Sequence, residues 1–172
     1  MANTFELIAS YTVGAGGTSS INFTSIPSTY TDLMLVFSGR MDNNPFSIAW
    51  TDSLLTFNGS SASFTDKLLY GDGSVATSQS ATGTVVRIPS SGATALTFGN
   101  VQIYIPNYAG STNKSFSMDY VTENNATQSR TEFHAGLWTN TAAINQITLT
   151  AQASGNFSQY STAYLYGVNK NA

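Results

Sequence analysis

The chain has 172 residues, enough for one domain with a full core, and only 9% of them are charged, with a net charge of −3. Its six Lys and Arg are scattered and cannot displace many counterions, which argues against nucleic-acid binding, and the absence of cysteine excludes a disulfide framework or a Cys-based zinc or redox site. No run approaches the roughly 18 apolar residues of a membrane helix, and the opening MANTFELIASYTVG lacks the basic and apolar regions of a secretory signal.

Short strand patterns separated by turn residues run the length of the chain. Phe5–Tyr11 and Ser20–Thr24 come first, split by GAGG (14–17), which no helix follows and which therefore fails as a phosphate cradle. Asp32–Gly39 is next, and its segment Leu33-Met34-Leu35-Val36-Phe37 is apolar on both faces, as expected of a strand covered on both sides or lying at a subunit contact. Phe46–Trp50, Leu54–Phe57 and Lys67–Tyr70 follow. The Ser-, Ala-, Thr- and Gly-rich stretch Gly71 to Gly83 reads as a surface loop.

Thr84–Ile88 precedes the clearest signal in the chain. In Leu96–Ile105, Val101, Ile103 and Ile105 alternate with Gln102 and Tyr104; after a polar turn, Lys114–Thr122 sets Phe116, Met118 and Tyr120 against Ser115, Ser117 and Asp119. Period two on both sides of a turn predicts a β-hairpin with Ile103 and Phe116 inward. Glu132–Trp138, Ile144–Ala151 and Thr162–Val168 complete the series. No window carries sustained helical spacing beyond a short turn near Ser28–Asp32, so the expected fold is all-β: one antiparallel β-sandwich domain over residues 1–172, jelly-roll-like.

Residues able to do chemistry are sparse. The single histidine, His134, shares a strand face with Glu132, as an acid–base pair would. The same pattern equally describes an outward polar stripe opposite an inward Phe133, Ala135 and Leu137, and this is the expected arrangement. Asp42, Asn43, Asn44 and Asp72 could offer oxygen ligands to calcium, but they suit Asx turns better and match no EF-hand spacing. The acids Asp32, Asp52, Asp66, Asp119, Glu123 and Glu132 show no pairing suited to glycoside hydrolysis, and no Gly-x-Ser-x-Gly elbow occurs. No catalytic residue, metal or cofactor is expected, and the chain reads as a non-enzyme. The late aromatics suit a contact surface instead, and the candidate interface is Leu33, Leu35, Phe37, Trp138, Tyr160, Tyr164 and Tyr166, in a homo-oligomer with a trimer favoured.

Four stretches, FELIASYTVGAGGTSSINFTSIPSTYTDL, IYIPNYAGSTNKSF, AGLWTNTAAINQITLT and GNFSQYSTAYLYGV, together resemble a family of short proteins common in tailed phages, especially marine and cyanobacterial ones, taken to be virion structural proteins. The likeness spans about Phe5 to Val168 and is weakest over Arg40 to Gly99. It implies a virion location after assembly in the host cytoplasm, with other virion proteins as partners, the major capsid protein foremost. Within that class the expected role is a capsid-surface decoration or cement protein. The rival is a tail-tip or fibre-associated module that binds host glycan. The shared motifs are strands and turns, so no site residue is carried over from the family.

Overall fold

The computed structural model describes residues 4–123 and 129–169, which form two antiparallel sheets packed as a β-sandwich. In chain order the strands are β1 (Phe5–Thr12), β2 (Ser20–Phe23), β3 (Asp32–Gly39), β4 (Trp50–Phe57), β5 (Phe64–Gly71), β6 (Ala76–Thr82), β7 (Val85–Pro89), β8 (Gly99–Pro106), β9 (Lys114–Thr122), β10 (Arg130–Trp138), β11 (Ile147–Ala151) and β12 (Thr162–Val168). The larger sheet has eight strands in the order β1-β12-β3-β8-β9-β10-β5-β6, and the smaller has four, β2-β11-β4-β7. The smaller sheet covers only part of the larger: in the outlying β1 only Ile8 and Ala9 pack partly against the core, and β6 is largely exposed.

The β8–β9 hairpin forms with the expected faces. Val101 pairs with Tyr120 and Ile103 with Met118, and these four are buried together with Ile105 and Phe116. The hydroxyls of Ser115 and Ser117 face out, because alternate residues on a pleated strand point to opposite sides.

Three local expectations are corrected. Phe46–Trp50 and Leu54–Phe57 were expected as separate strands, but the second begins at Trp50 and runs unbroken through Asp52 and Ser53 to Phe57. Those polar residues interrupt the apolar pattern without breaking the strand: Ser53 is buried and its Oγ donates to the Val86 carbonyl. The supposed loop Gly71 to Gly83 contains β6, which pairs in unbroken register with β5 from Thr65↔Thr82 to Gly71↔Ala76. None of its residues 76–81 is buried, and no apolar alternation marks the strand. Finally, β3 lies between β12 and β8, with Leu33, Leu35 and Phe37 turned into the core at 0–1% exposure. Its apolar character on both faces has two separate causes: the sandwich interior covers one side, and Met34 and Val36 stand half-buried on the outer side.

At one end of the core Phe57, Phe64, Phe116 and Trp138 pack as an aromatic cluster. Phe57 meets Phe116 and Trp138 edge-on, with centroids 5.5 and 5.6 Å apart, and Phe64 stacks on Trp138 at 6.1 Å. Such geometry sets the positive ring edge against the negative face. Gly136 makes it possible: a Cβ there would fall 2.1 Å from the Phe116 ring, so only glycine lets that ring lie across β10.

Beyond the sheets, Arg40 organises the long connection between β7 and β8. Its Nη1 donates to the carbonyls of Thr94 (2.9 Å) and Thr97 (3.2 Å), and its Nη2 to those of Ala93 (3.2 Å) and Ser91 (3.5 Å). A planar guanidinium with donors on several sides can gather carbonyls that no neighbouring strand would satisfy.

Candidate functional site

Chemistry-bearing side chains converge inside the sandwich where the edge of the small sheet, β7, lies against β9, and side chains of β10, β5 and β4 join them there. The inward row of β10 is Glu132, His134, Gly136 and Trp138, and the outward row is Thr131, Phe133, Ala135 and Leu137. This inverts the expected faces of the strand. Phe133 is 59% exposed, whereas Glu132 and His134 are 0% and 4% exposed. The period of two was right and the side was wrong, because buried partners outweigh the hydrophobic count.

Those partners come from four other strands. His134 Nδ1 lies 2.5 Å from Asp66 Oδ2 on β5, and its Nε2 lies 2.7 Å from Glu132 Oε2. Tyr120 on β9 donates its hydroxyl to the same Glu132 oxygen. The other Glu132 oxygen accepts Arg87 Nη1 from β7 at 2.7 Å and Arg130 Nε from its own strand. Arg87 Nε also reaches Asp52 on β4 at 3.0 Å. The Arg130 guanidinium stacks 3.8 Å over the Tyr70 ring, with Trp50 at 5.3 Å on a second approach. Three carboxylates, two guanidinia and one imidazole thus form a single connected cluster.

The protonation of this cluster follows from its geometry. A neutral imidazole carries one N–H, but both ring nitrogens of His134 face carboxylate oxygens, an arrangement that favours the doubly protonated imidazolium. Burial alone would lower its pKa; the hydrogen bonds to Asp66 and Glu132 outweigh that and raise it. Burial would likewise raise Glu132, but hydrogen bonds from His134 and Tyr120 and the charge of Arg87 bring it down to about 2. With the imidazolium counted, Asp52, Asp66 and Glu132 balance Arg87, Arg130 and His134 within the cluster.

Glu132 and His134 have the relationship of an acid–base pair, yet their lone pairs and protons are already committed. Their side chains and that of Asp66 are 0–1% exposed, which leaves no face on which a substrate could sit. What the cluster does is join layers: Arg87 and Asp52 belong to the small sheet, and Glu132, Tyr120 and Asp66 to the large one. Charge-assisted hydrogen bonds of this kind are directional, so they fix how the sheets sit on each other as well as holding them together.

The predicted interface residues separate into two groups. Leu33, Leu35, Phe37 and Trp138 are core side chains and cannot contact another molecule in the folded chain. Tyr164 and Tyr166 stand on the outer face of the large sheet, stacked with centroids 6.5 Å apart, whereas Tyr160 lies in the connection before β12 and is 65% exposed. Cross-strand pairing builds an outer row Leu7–Tyr166–Met34–Tyr104 and beside it Tyr164–Val36–Gln102. Phe5, Met34, Val36 and Tyr166 line an open recess in this surface. The one acid on this half of the face, Asp32, is held by the Tyr104 hydroxyl at 2.6 Å and by the Asn107 amide at 2.8 Å.

Three of the four residues considered for calcium have side-chain oxygens that accept hydrogen bonds from the protein, whereas Asn43 donates its Nδ2 to the carbonyls of Gln152 and Ala153 and its Oδ1 is buried without a partner among the described residues. Asp42 accepts both the backbone and the side-chain nitrogen of Asn156, Asn44 accepts the Ile48 amide, and Asp72 accepts the amides of Ser74 and Val75. Among the described residues no group of three His, Asp or Glu is arranged to hold a metal ion. Comparison with protein-family models, with curated proteins and with solved structures finds no match.

Proposed function

We propose that the protein is a non-enzymatic virion structural protein of a tailed phage, a decoration or cement subunit that docks on the capsid through the outer face of its eight-stranded sheet. The observation that carries this reading is the character of that face. Over β1, β12, β3 and β8 it is broad, rich in tyrosine and aliphatic side chains, and has its single acid internally bound. Depletion of charge with enrichment of tyrosine is the composition of an interface centre. The side chains of Glu132, His134 and Asp66, by contrast, are sealed in the interior, where they serve the fold.

The resemblance of the strand and turn motifs to phage virion proteins supplies the context, and a homo-oligomer on the capsid surface is part of the same proposal. The stacked pair Tyr164 and Tyr166 favours one other reading, a module binding host glycan, since adjacent aromatic rings can stack on sugars.

Purified protein added to capsids that lack it separates the two. Saturable capsid binding, weakened at least tenfold by Tyr164→Ala combined with Tyr166→Ala, with no retention by host polysaccharide, is the expected result. Retention by polysaccharide that the same pair of substitutions abolishes, with no capsid binding, replaces the decoration role with the glycan-binding one.

A further inference from the structure

Four strand edges end the two sheets, and three of them carry devices that block pairing with another chain. β1 has a register shift between Leu7 and Ala9 and bears Glu6. β2 has only four residues. β7 has five, including Arg87 and a terminal Pro89 that lacks an N–H. Bulges, charges, prolines and short length are the means by which sheet proteins keep their edges from templating further strands.

β6 has none of them. It is seven residues long, ATSQSAT, with no charge, no proline and no shift in its register against β5. It also contributes little to the core, since Ser78, Gln79 and Ser80 are exposed and no strand of the small sheet pairs or packs across it. A strand that buries so little apolar surface gains little from its own ordering, and among the described residues none pairs with its outer row of N–H and C=O groups.

We infer that β6 pairs antiparallel with β6 of a second copy of this chain, about a two-fold axis through Gln79, joining two eight-stranded sheets edge to edge. The strand is suited to its own copy because an isologous contact sets each residue against its mirror position and the strand carries no charge of its own, the nearest being Lys67 on β5, whose Nζ donates to Ser80 Oγ at 2.6 Å. Centring on Gln79 places Ser78 opposite Ser80 and Thr77 opposite Ala81, and small hydroxyl residues pair well across strands. An edge of this length is about 24 Å long. A contact of one strand on one strand buries less than the roughly 1,200 Å² of a stable complex, so it is weak in dilute solution and grows with protein concentration. The inference stands apart from the virion reading, because it rests on the edge and not on the outer face.

The chain has no cysteine, so a single Gln79→Cys reports the contact directly. Under mild oxidation at high protein concentration Gln79→Cys should form disulfide dimers at least tenfold faster than Leu96→Cys, placed at a residue that is 80% exposed in a loop away from the edge. Sedimentation of the wild type should show reversible dimers that Gln79→Lys suppresses, with its circular dichroism unchanged. Equal cross-linking at the two positions, or dimers that persist in Gln79→Lys, overturns the inference. So does a chain that remains monomeric while Gln79→Lys abolishes binding to a different protein, since the edge would then receive a foreign strand.

Discussion

Trp138 and Glu132 point into the same interior from the same strand, yet the two ends of β10 are held by different physics. Around Trp138 the contacts are ring on ring, non-directional apart from edge and face preferences, and made possible by the bare backbone of Gly136. Around Glu132 every contact is a charge-assisted hydrogen bond with a defined donor and acceptor. The aromatic end supplies stability through area removed from water. The ionic end offers less net stability, because the desolvation of buried charges offsets much of their attraction, but it discriminates between ways of stacking the sheets. A small sheet sliding over a larger one would keep its apolar contacts in many positions, but the link from Arg87 to Glu132 exists in one.

The largest expected effects test that division. Trp138→Ala should cost about 3–5 kcal/mol through lost burial and the cavity left behind, and Glu132→Ala a similar amount, about 3–5 kcal/mol, through stranding Arg87, Arg130 and His134. Denaturant titration checks both. The difference appears on repair: replacing Glu132 together with Arg87, Arg130, His134 and Asp66 by apolar residues of similar volume should recover most of the loss, whereas no such repair exists for Trp138. If that multiple variant is as unstable as Glu132→Ala, the cluster contributes net stability and not only specificity.

A pH titration sharpens the same contrast. The folded pKa of His134 is raised, so its contribution is fully present below the unfolded value of about 6.5 and is lost as pH rises through the folded value. For Glu132, lowered to about 2, the contribution is present above its unfolded value and falls away on acidification, by about 3 kcal/mol in all. Denaturation midpoints should therefore plateau between about pH 4.5 and 6.5 and decline on both sides. His134→Leu should remove the alkaline decline while leaving Trp138→Ala destabilised at every pH.

Smaller effects mark the boundary between the two ends. Gly136→Ala should cost about 1–3 kcal/mol by pushing a Cβ into the Phe116 ring. Phe133→Ser, on the opposite side of the same strand, should change stability by less than about 0.5 kcal/mol, as an outward position allows. A loss of several kcal/mol at Phe133 would mean that β10 presents its other face to the core.

That strand also shows what could be read in the sequence and what could not. In the β8–β9 hairpin the inward Val101, Ile103, Ile105, Phe116, Met118 and Tyr120 alternate with an outer face largely of hydroxyl and amide, so period and side agree with the structure, although Lys114 also turns inward. In β10 both faces mix characters, and counting apolar residues favours Phe133, Ala135 and Leu137. The usable signal was parity: Trp138 and the small Gly136 fall on the same side as His134 and Glu132, and a large ring with a glycine two residues away suits tight packing. Asp66, Arg87, Tyr120 and Arg130 had no signal of their own, because their convergence depends on strand order in space. β6 was illegible for the converse reason, since a strand with no buried residue over 76–81 has nothing to alternate. The tyrosines of β12 were legible as surface, but Leu33, Leu35, Phe37 and Trp138 were not legible as core, because the sandwich interior and a subunit contact demand the same residue types.

Arg40 carries a last consequence. Carbonyl oxygens converging from an irregular loop are what a calcium ion gathers in many extracellular β-proteins. Here a tethered guanidinium takes that position, with Ser91, Ala93, Thr94 and Thr97 as its ligands in all but name. A cation that is part of the chain does not dissociate on dilution and is indifferent to chelators. The loop between β7 and β8 should therefore hold its shape in calcium-poor and calcium-rich water alike, and Arg40→Met, not EDTA, is the treatment that releases it.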